Sequence, residues 1–242
     1  MHIPSNENGG YHDLKKDSKH KDWVTKKADF SPLENGCKSL VIDGQAVMES
    51  WEKPYMEALA EIATRNGGCV LEVGFGLHLS ADGIQTHDID EHIIIEANTD
   101  VFKTLEAWGK EQKHKVTGMH GLWQEQMALI EDNSLDGILY DTYPLNEAEQ
   151  HTHQFNFLET AYKKLKVGGI MTYCNLTSIG VLHTLYTDFK EMFEKTQKPH
   201  LLRIGCKEED IEPFEIKTVA PPNDCRYYHH TEALCPVIIK KS

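Results

Sequence analysis

The sequence predicts an α/β fold: an open, mostly parallel sheet with helices on both faces, finished by an antiparallel hairpin near its end. Three observations carry this expectation. Short apolar runs of strand length alternate with segments of helical period. Glycine pairs and prolines punctuate the joints. The last two apolar runs have no full helix between them, so they are expected to pair antiparallel. No internal repeat is present.

The elements follow in chain order. Residues 1 to about 30 are polar and Lys-rich, with Lys15, Lys16, Lys19, Lys21, Lys26 and Lys27 interleaved with acids. This stretch reads as a disordered tail, with Trp23 and Phe30 as aromatic exceptions able to anchor it. From Gln45 onward Val47, Met48, Trp51, Tyr55, Leu59 and Ile62 follow a helical period. Pro54 either kinks that helix or opens a second one at its first position. Asn66-Gly67-Gly68 is the stop. Cys69–Val73 is a buried strand feeding the turn Gly74-Phe75-Gly76. Ile93–Glu96 is a second strand, residues 101–108 a helix, residues 114–119 a third strand, and Leu135–Asp141 a fourth, ended by Thr142-Tyr143-Pro144. A helix over 155–165 is stopped by Gly168-Gly169, a strand follows over 170–174, and a helix over 182–194. Residues 215–219 and 236–240 form the final hairpin.

Composition narrows the function. The chain has 242 residues, 25 basic and 38 acidic, and a net charge of −13. That excess argues against a general phosphate-backbone binder and against charge-driven binding to anionic membranes. There is no run of ~18 apolar residues to span a bilayer, and the N-terminal stretch lacks the apolar core of a signal peptide. The six cysteines form no C-x-x-C pair and read as reduced and mostly structural. A cytoplasmic location is the expectation.

In such a sheet, ligands bind beyond the carboxyl ends of the strands. Gly74-x-Gly76 lies there, but the third position of the dinucleotide fingerprint is Leu79, which disfavours a pyrophosphate. Glu96 ends the second strand, 20 residues after Gly76, where a carboxylate can grip a ribose diol, and Asn98 follows it. A glycine turn, a ribose acid and a missing third glycine together favour S-adenosyl-L-methionine over NAD, since that cofactor has no phosphate. Asp141 ends the fourth strand, where a carboxylate can orient and deprotonate a nitrogen nucleophile; a turn-forming Asp before Pro144 is the plainer alternative. Met48, Glu52 and Met56 share one helical face if the helix runs through Pro54. A glutamate between two core methionines needs a partner, and a cationic substrate would be one. His151-x-His153 lacks a third ligand, so no metal is expected, and Cys174 and Arg226-Tyr227-Tyr228 read as structural.

Longer motifs sharpen this reading. The stretches 47–56, 70–76, 89–92, 137–145, 151–157, 172–178 and 224–228 closely resemble the guanidinoacetate N-methyltransferases, which complete creatine synthesis, and the resemblance runs from about residue 37 to the end. It implies a Rossmann-like class I methyltransferase domain over 37–242, with a seven-stranded sheet, preceded by a polar segment over 1–36 that closes over the site as a lid. S-adenosyl-L-methionine would be held by Trp23, Met48, Met56, the turn Phe75, Gly76, Leu77, His78, Leu79 and Ser80, then Glu96 and Asn98 at the ribose, Trp123 and Gln124 at the adenine, and Asp141. The guanidino group of guanidinoacetate would lie between Glu52 and Asp141, the catalytic pair, with its carboxylate at Leu176 and Thr177. The partner is then a small molecule, with no nucleic acid or membrane, and the chain a monomer. Another guanidino acid or a protein arginine is the alternative acceptor, and a non-enzymatic module that keeps the fold is a third reading. His78, Asp82 and Gly83 depart from the family's pattern after the glycine turn, and Gln124 replaces a family acid.

Overall fold

The computed structural model describes residues 18–33, 36–144 and 151–242. The expectations for residues 1–17, with Lys15 and Lys16 of the lysine-rich stretch, lie outside the described residues.

A short N-terminal layer comes first: α1 (Ser18–Thr25), β1 (Ala28–Asp29), β2 (Ser39–Ile42) and β3 (Gln45–Glu49), the strands forming a three-stranded antiparallel sheet. This corrects the helix expected from Gln45. Asp43 and Gly44 both have positive φ, 52° and 76°, which is the geometry of a tight hairpin turn, and Asp-Gly is its strongest sequence signal. Met48 therefore sits on a strand, not on one helical face with Glu52 and Met56. A single 3-10 turn (Ser50–Glu52) leads into α2 (Lys53–Ala63), with Pro54 in the first turn, so the second of the two expected roles for Pro54 holds.

The central sheet follows: β4 (Cys69–Val73), α3 (Leu79–Gln85), β5 (Glu91–Glu96), α4 (Thr99–Gly109), β6 (Lys115–His120), α5 (Trp123–Gln126), β7 (Leu135–Tyr140), α6 (His153–Lys164) and β8 (Leu165–Tyr173). Beyond it lie α7 (Leu176–Leu182), α8 (Phe189–Met192), α9 (Lys198–Arg203), β9 (Glu215–Thr218), β10 (Glu232–Cys235) and β11 (Ile238–Ile239). The sheet order is β11-β8-β7-β4-β5-β6; the five strands from β8 to β6 run parallel and β11 runs antiparallel to β8. The chain moves outward from β4 through β5 to β6, then returns to place β7 on the other side of β4. The strand order reverses between β4 and β7, and the crevice at their carboxyl ends is where a ligand belongs.

The α/β class and mostly parallel sheet agree with the sequence, while several boundaries differ. Among the described residues the central sheet has six strands, not seven, and β9 pairs with β10, Glu232 opposite Thr218 and Cys235 opposite Glu215, rather than with 236–240. Pro236 has no N–H to give, so it divides the last strand: β10 pairs with β9 and β11 with β8. Gly168 and Gly169 do not stop a helix; they lie inside β8, where the register with β7 shifts. The helix expected over 182–194 is instead α7 and α8, because Asp188 caps α8 by accepting from the Glu191 N–H.

Buried Tyr55 locks α2 to this frame. Its hydroxyl donates to the Leu234 carbonyl at 2.7 Å and accepts from the Asn175 N–H at 3.0 Å. Among the described residues no helix is long and apolar enough to cross a membrane.

Candidate active site

The turn after β4 and the ends of β5 and β7 build one side of the site. The Asp141 N–H donates to the Val73 carbonyl at 2.9 Å, and the Gly74 N–H donates to the Ile95 carbonyl at 2.9 Å. Three strand ends are thereby fixed to one turn. Gly74 has φ +93°, and a Cβ there would lie 1.8 Å from the Asp141 carbonyl oxygen, so no other residue fits. Glu96 braces the same turn. Its Oε2 accepts from the Phe75 N–H at 3.0 Å and its Oε1 from the Asn98 N–H at 2.7 Å. Burial raises its pKa, against the backbone N–H groups that favour the charged form. Met48 reaches the turn from β3, its Sδ accepting from the Leu77 N–H at 3.3 Å. Met56 and Phe75 are fully buried, and Leu77 and Leu79 nearly so.

Other predicted residues have different partners. The Asn98 side chain caps α4 through Asp100 and Val101 and donates to the carbonyls of Trp23 at 3.0 Å and Lys26 at 2.8 Å. Its polar atoms are thus engaged by protein on both sides. Ser80 is buried and its hydroxyl donates to Glu72, away from the turn. The other Glu72 oxygen lies 2.9 Å from His92 Nε2, an electrostatic contact rather than an aligned hydrogen bond. Trp23 stacks flat on Tyr143 at 5.3 Å, so α1 covers the segment just after Asp141. Trp123 packs edge-on against Phe157 at 5.4 Å. Next to it, Gln124 Oε1 is buried with no hydrogen-bond partner.

The family departures explain one another. His78 takes a left-handed conformation, φ +53°, at the start of α3. Its Nδ1 lies 2.9 Å from Asp82 Oδ2, and Asp82 Oδ1 accepts from the Trp108 indole N–H at 2.8 Å. Burial would raise the Asp82 carboxyl, but these two contacts outweigh it and hold the pKa below the ordinary value. Gly83 lets α3 meet α2, since a Cβ there would lie 2.9 Å from the Ala60 Cβ. The three residues refit this corner of the core.

The opposite wall carries the second carboxylate. Glu52 ends the 3-10 turn, and its Oε1 accepts from the Glu49 N–H at 2.8 Å and from the Tyr227 hydroxyl at 2.5 Å. Glu49 is held by the Trp51 indole N–H at 2.9 Å. Burial first, and then the Asp141 carboxylate, push Glu52 up to about 8, against the bonds from Tyr227 and Glu49. Burial, with Glu72 behind it, pushes Asp141 up to about 6, while the Cys174 thiol donates to it and opposes the rise. Glu52 thus senses the charge of Asp141. Among the described residues neither has a Lys, Arg or His ion-pair partner. Leu176 and Thr177 open α7, two and three residues after Cys174.

Three neighbours of the acids were not singled out from sequence. Cys174 and Tyr227 read as structural, yet one donates to Asp141 and the other to Glu52. Glu49 belongs to the same group. All three carried a signal, their place in the motifs: Glu49 in 47–56, Cys174 in 172–178 and Tyr227 in 224–228. His151 and His153 gather no metal set: among the described residues no cluster of three ligating side chains forms, and burial lowers His153 to about 4.

The family model for guanidinoacetate N-methyltransferase matches residues 14–241. The curated relatives include protein arginine N-methyltransferase 2 of Kluyveromyces lactis, 26% identical over 202 residues, covering 77% of this chain and 47% of the relative. The same protein of Saccharomyces cerevisiae is 27% identical over 201 residues, covering 76% and 46%. The chain spans about half the length of these relatives. Among solved structures, spermidine synthase of Thermotoga maritima superposes with a TM-score of 0.62 at 16% identity, covering 89% of this chain and 70% of that one, a likeness of fold. With the family model spanning nearly the whole chain, the protein belongs to the guanidinoacetate N-methyltransferase family.

Proposed function

We propose that this protein methylates a guanidino nitrogen, with guanidinoacetate as acceptor and creatine as product. The class of chemistry, methyl transfer from S-adenosylmethionine, comes with the family. One observation carries the choice of acceptor group: buried Glu52 and half-buried Asp141 are carboxylates close enough to interact, and among the described residues neither has a Lys, Arg or His ion-pair partner. Such a pair is costly to ionise unless a cation joins it. A planar guanidinium supplies the charge and a fork of N–H donors.

The cofactor end fits the same reading. The turn offers backbone and Glu96 but no lysine or arginine, which suits a ligand without phosphate. The partnerless Gln124 Oε1 is an acceptor that an adenine amino group would satisfy. Met48, the turn 75–79, Glu96, Trp123 and Gln124 are the residues we assign to S-adenosylmethionine. When bound, it supplies an electrophilic methyl group.

The chain's own residues do the rest. An alkyl guanidinium has a pKa of ~12.5 or above, so reaching its neutral, nucleophilic form at pH 7 costs about 7 kcal/mol. Asp141, ionised above about pH 6, takes the proton from the attacking nitrogen as the new bond forms. Glu52 clamps the far side of the guanidino plane. Trp23 on Tyr143 keeps water from the crevice.

A second reading has its own support, because the curated relatives are named protein arginine N-methyltransferases. A peptidyl arginine presents the same guanidino group without the small carboxylate that we assign to Leu176 and Thr177. Methyl transfer to guanidinoacetate, with an arginine peptide in parallel, tests the choice.

A further inference from the structure

The two oxygens of Glu52 are not equivalent. Oε1 receives two protein donors, the Glu49 N–H at 2.8 Å and the Tyr227 hydroxyl at 2.5 Å. Among the described residues no donor reaches Oε2. We propose that Tyr227 is the positioning residue of the substrate clamp: with the Glu49 amide it takes up Oε1, fixes the carboxyl rotamer, and leaves Oε2 for a guanidino N–H. The inference rests on the functional reading above.

Tyr227 is itself firmly placed. It lies in the loop between β9 and β10, and its ring packs against Trp51 at 5.8 Å. The next ring, Tyr228, stacks on Trp51 at 5.9 Å, and its hydroxyl donates to the Glu232 carbonyl. Farther along, His230 stacks on His183 at 3.7 Å, tying the loop to the end of α7. A Cβ on Gly180 would lie 3.2 Å from the Tyr227 carbonyl oxygen, so helix and loop approach backbone to backbone. The loop thereby holds one hydroxyl over one carboxylate, while the start of α7 supplies Leu176 and Thr177. A single wall serves both ends of a short guanidino acid.

The charge around Glu52 makes this bond matter. Asp141 faces it from the end of β7, Glu49 from β3, Cys174 from the end of β8, and Cys225 from the Tyr227 loop. Apart from the Glu49 amide, these are acidic groups or thiols, so none favours an ionised Glu52. Tyr227 does, by donating to it, and burial and the Glu52 charge keep the phenol protonated as a donor.

The test is an infrared pH titration of the ligand-free full chain, with the Glu52 carboxyl band assigned by its loss in Glu52→Gln. Tyr227→Phe is expected to raise the Glu52 midpoint by about one pH unit, because a donor to the charged form is gone. Placing 3-fluorotyrosine at 227, a more acidic phenol and stronger donor, is expected to lower it. In turnover, Tyr227→Phe should raise KM for guanidinoacetate about tenfold with a smaller change in kcat, and should add nothing in a Glu52→Gln background. An unmoved midpoint in both Tyr227 variants, or an equal loss in the Glu52→Gln background, overturns the proposal. The titration needs no substrate. A wild-type protein inert towards guanidinoacetate would overturn the functional reading alone, with the midpoint still deciding the role of Tyr227.

Discussion

Gly74 and Asp141 pack backbone to backbone where the strand order reverses, so closely that a Cβ on Gly74 would lie 1.8 Å from the Asp141 carbonyl oxygen. The turn that would receive the cofactor and the carboxylate that would receive the proton are therefore one rigid unit. Gly74→Ala is expected to cost about 3 kcal/mol or more, from steric overlap added to a left-handed backbone at φ +93°. Thermal unfolding measures it, and a Tm within a degree of wild type would contradict the packing.

Asp141→Asn keeps the size of the side chain and removes the base. The expected loss in kcat is about 100- to 10,000-fold, with S-adenosylmethionine affinity nearly unchanged. Stopped-flow turnover and calorimetry of cofactor binding separate the two. Undiminished kcat would remove Asp141 from the role of base.

Glu52→Gln should stabilise the ligand-free protein in a pH-dependent way. The Glu52 carboxyl is raised from its ordinary value near 4.5 to about 8 on folding. Its contribution to stability is full below pH 4.5 and is lost as pH rises through 8, because the unfolded chain ionises first. The gain from Glu52→Gln is accordingly absent at pH 4 and greatest above pH 8, where it should raise Tm by several degrees, at about 2–4 °C per kcal/mol for a chain of this size. The same shift requires guanidinoacetate to bind with release of a proton at pH 7, since the cation favours the ionised form. Calorimetry in buffers of different ionisation enthalpy reads that release.

Asn98→Ala removes the α4 cap and both bonds to the N-terminal segment. Loss of the cap costs about 1 kcal/mol. The segment carrying Trp23 should loosen with it, and trypsin should cut after Lys26 or Lys27 several times faster than in wild type. An unchanged cleavage rate would show that Trp23 on Tyr143, the Thr99 hydroxyl on the Val24 carbonyl and the β1–β2 pairing hold the segment without Asn98.

Strongly patterned elements were legible in the sequence. Cys69–Val73, the run ending at Glu96 and the run ending before Asp141 are buried strands whose apolar runs and glycine stops leave little choice, and they place the glycine turn and two carboxylates at one edge of the sheet. The misread segment at Gln45 shows the limit. Val47, Met48 and Trp51 fit a helical period, but the Asp43-Gly44 turn upstream folds Val47 and Met48 back as a strand and leaves Trp51 in the 3-10 turn after it. Contacts made across long sequence separations were not legible. Tyr227 reaches Glu52 over 175 residues, and Asn98 spends its side chain on a segment 72 to 75 residues earlier. The departures at His78, Asp82 and Gly83 stand out in the sequence, but their partners Trp108 and Ala60, 20 or more residues away, do not.

Methyl transfer from labelled S-adenosylmethionine, offered guanidinoacetate and an arginine-rich peptide side by side, tests the central claim most directly. Turnover of guanidinoacetate to creatine, lost in Asp141→Asn and with little label on the peptide, is the predicted result. Label on the peptide with none on guanidinoacetate would contradict the proposed acceptor and assign the Glu52–Asp141 crevice to protein arginine.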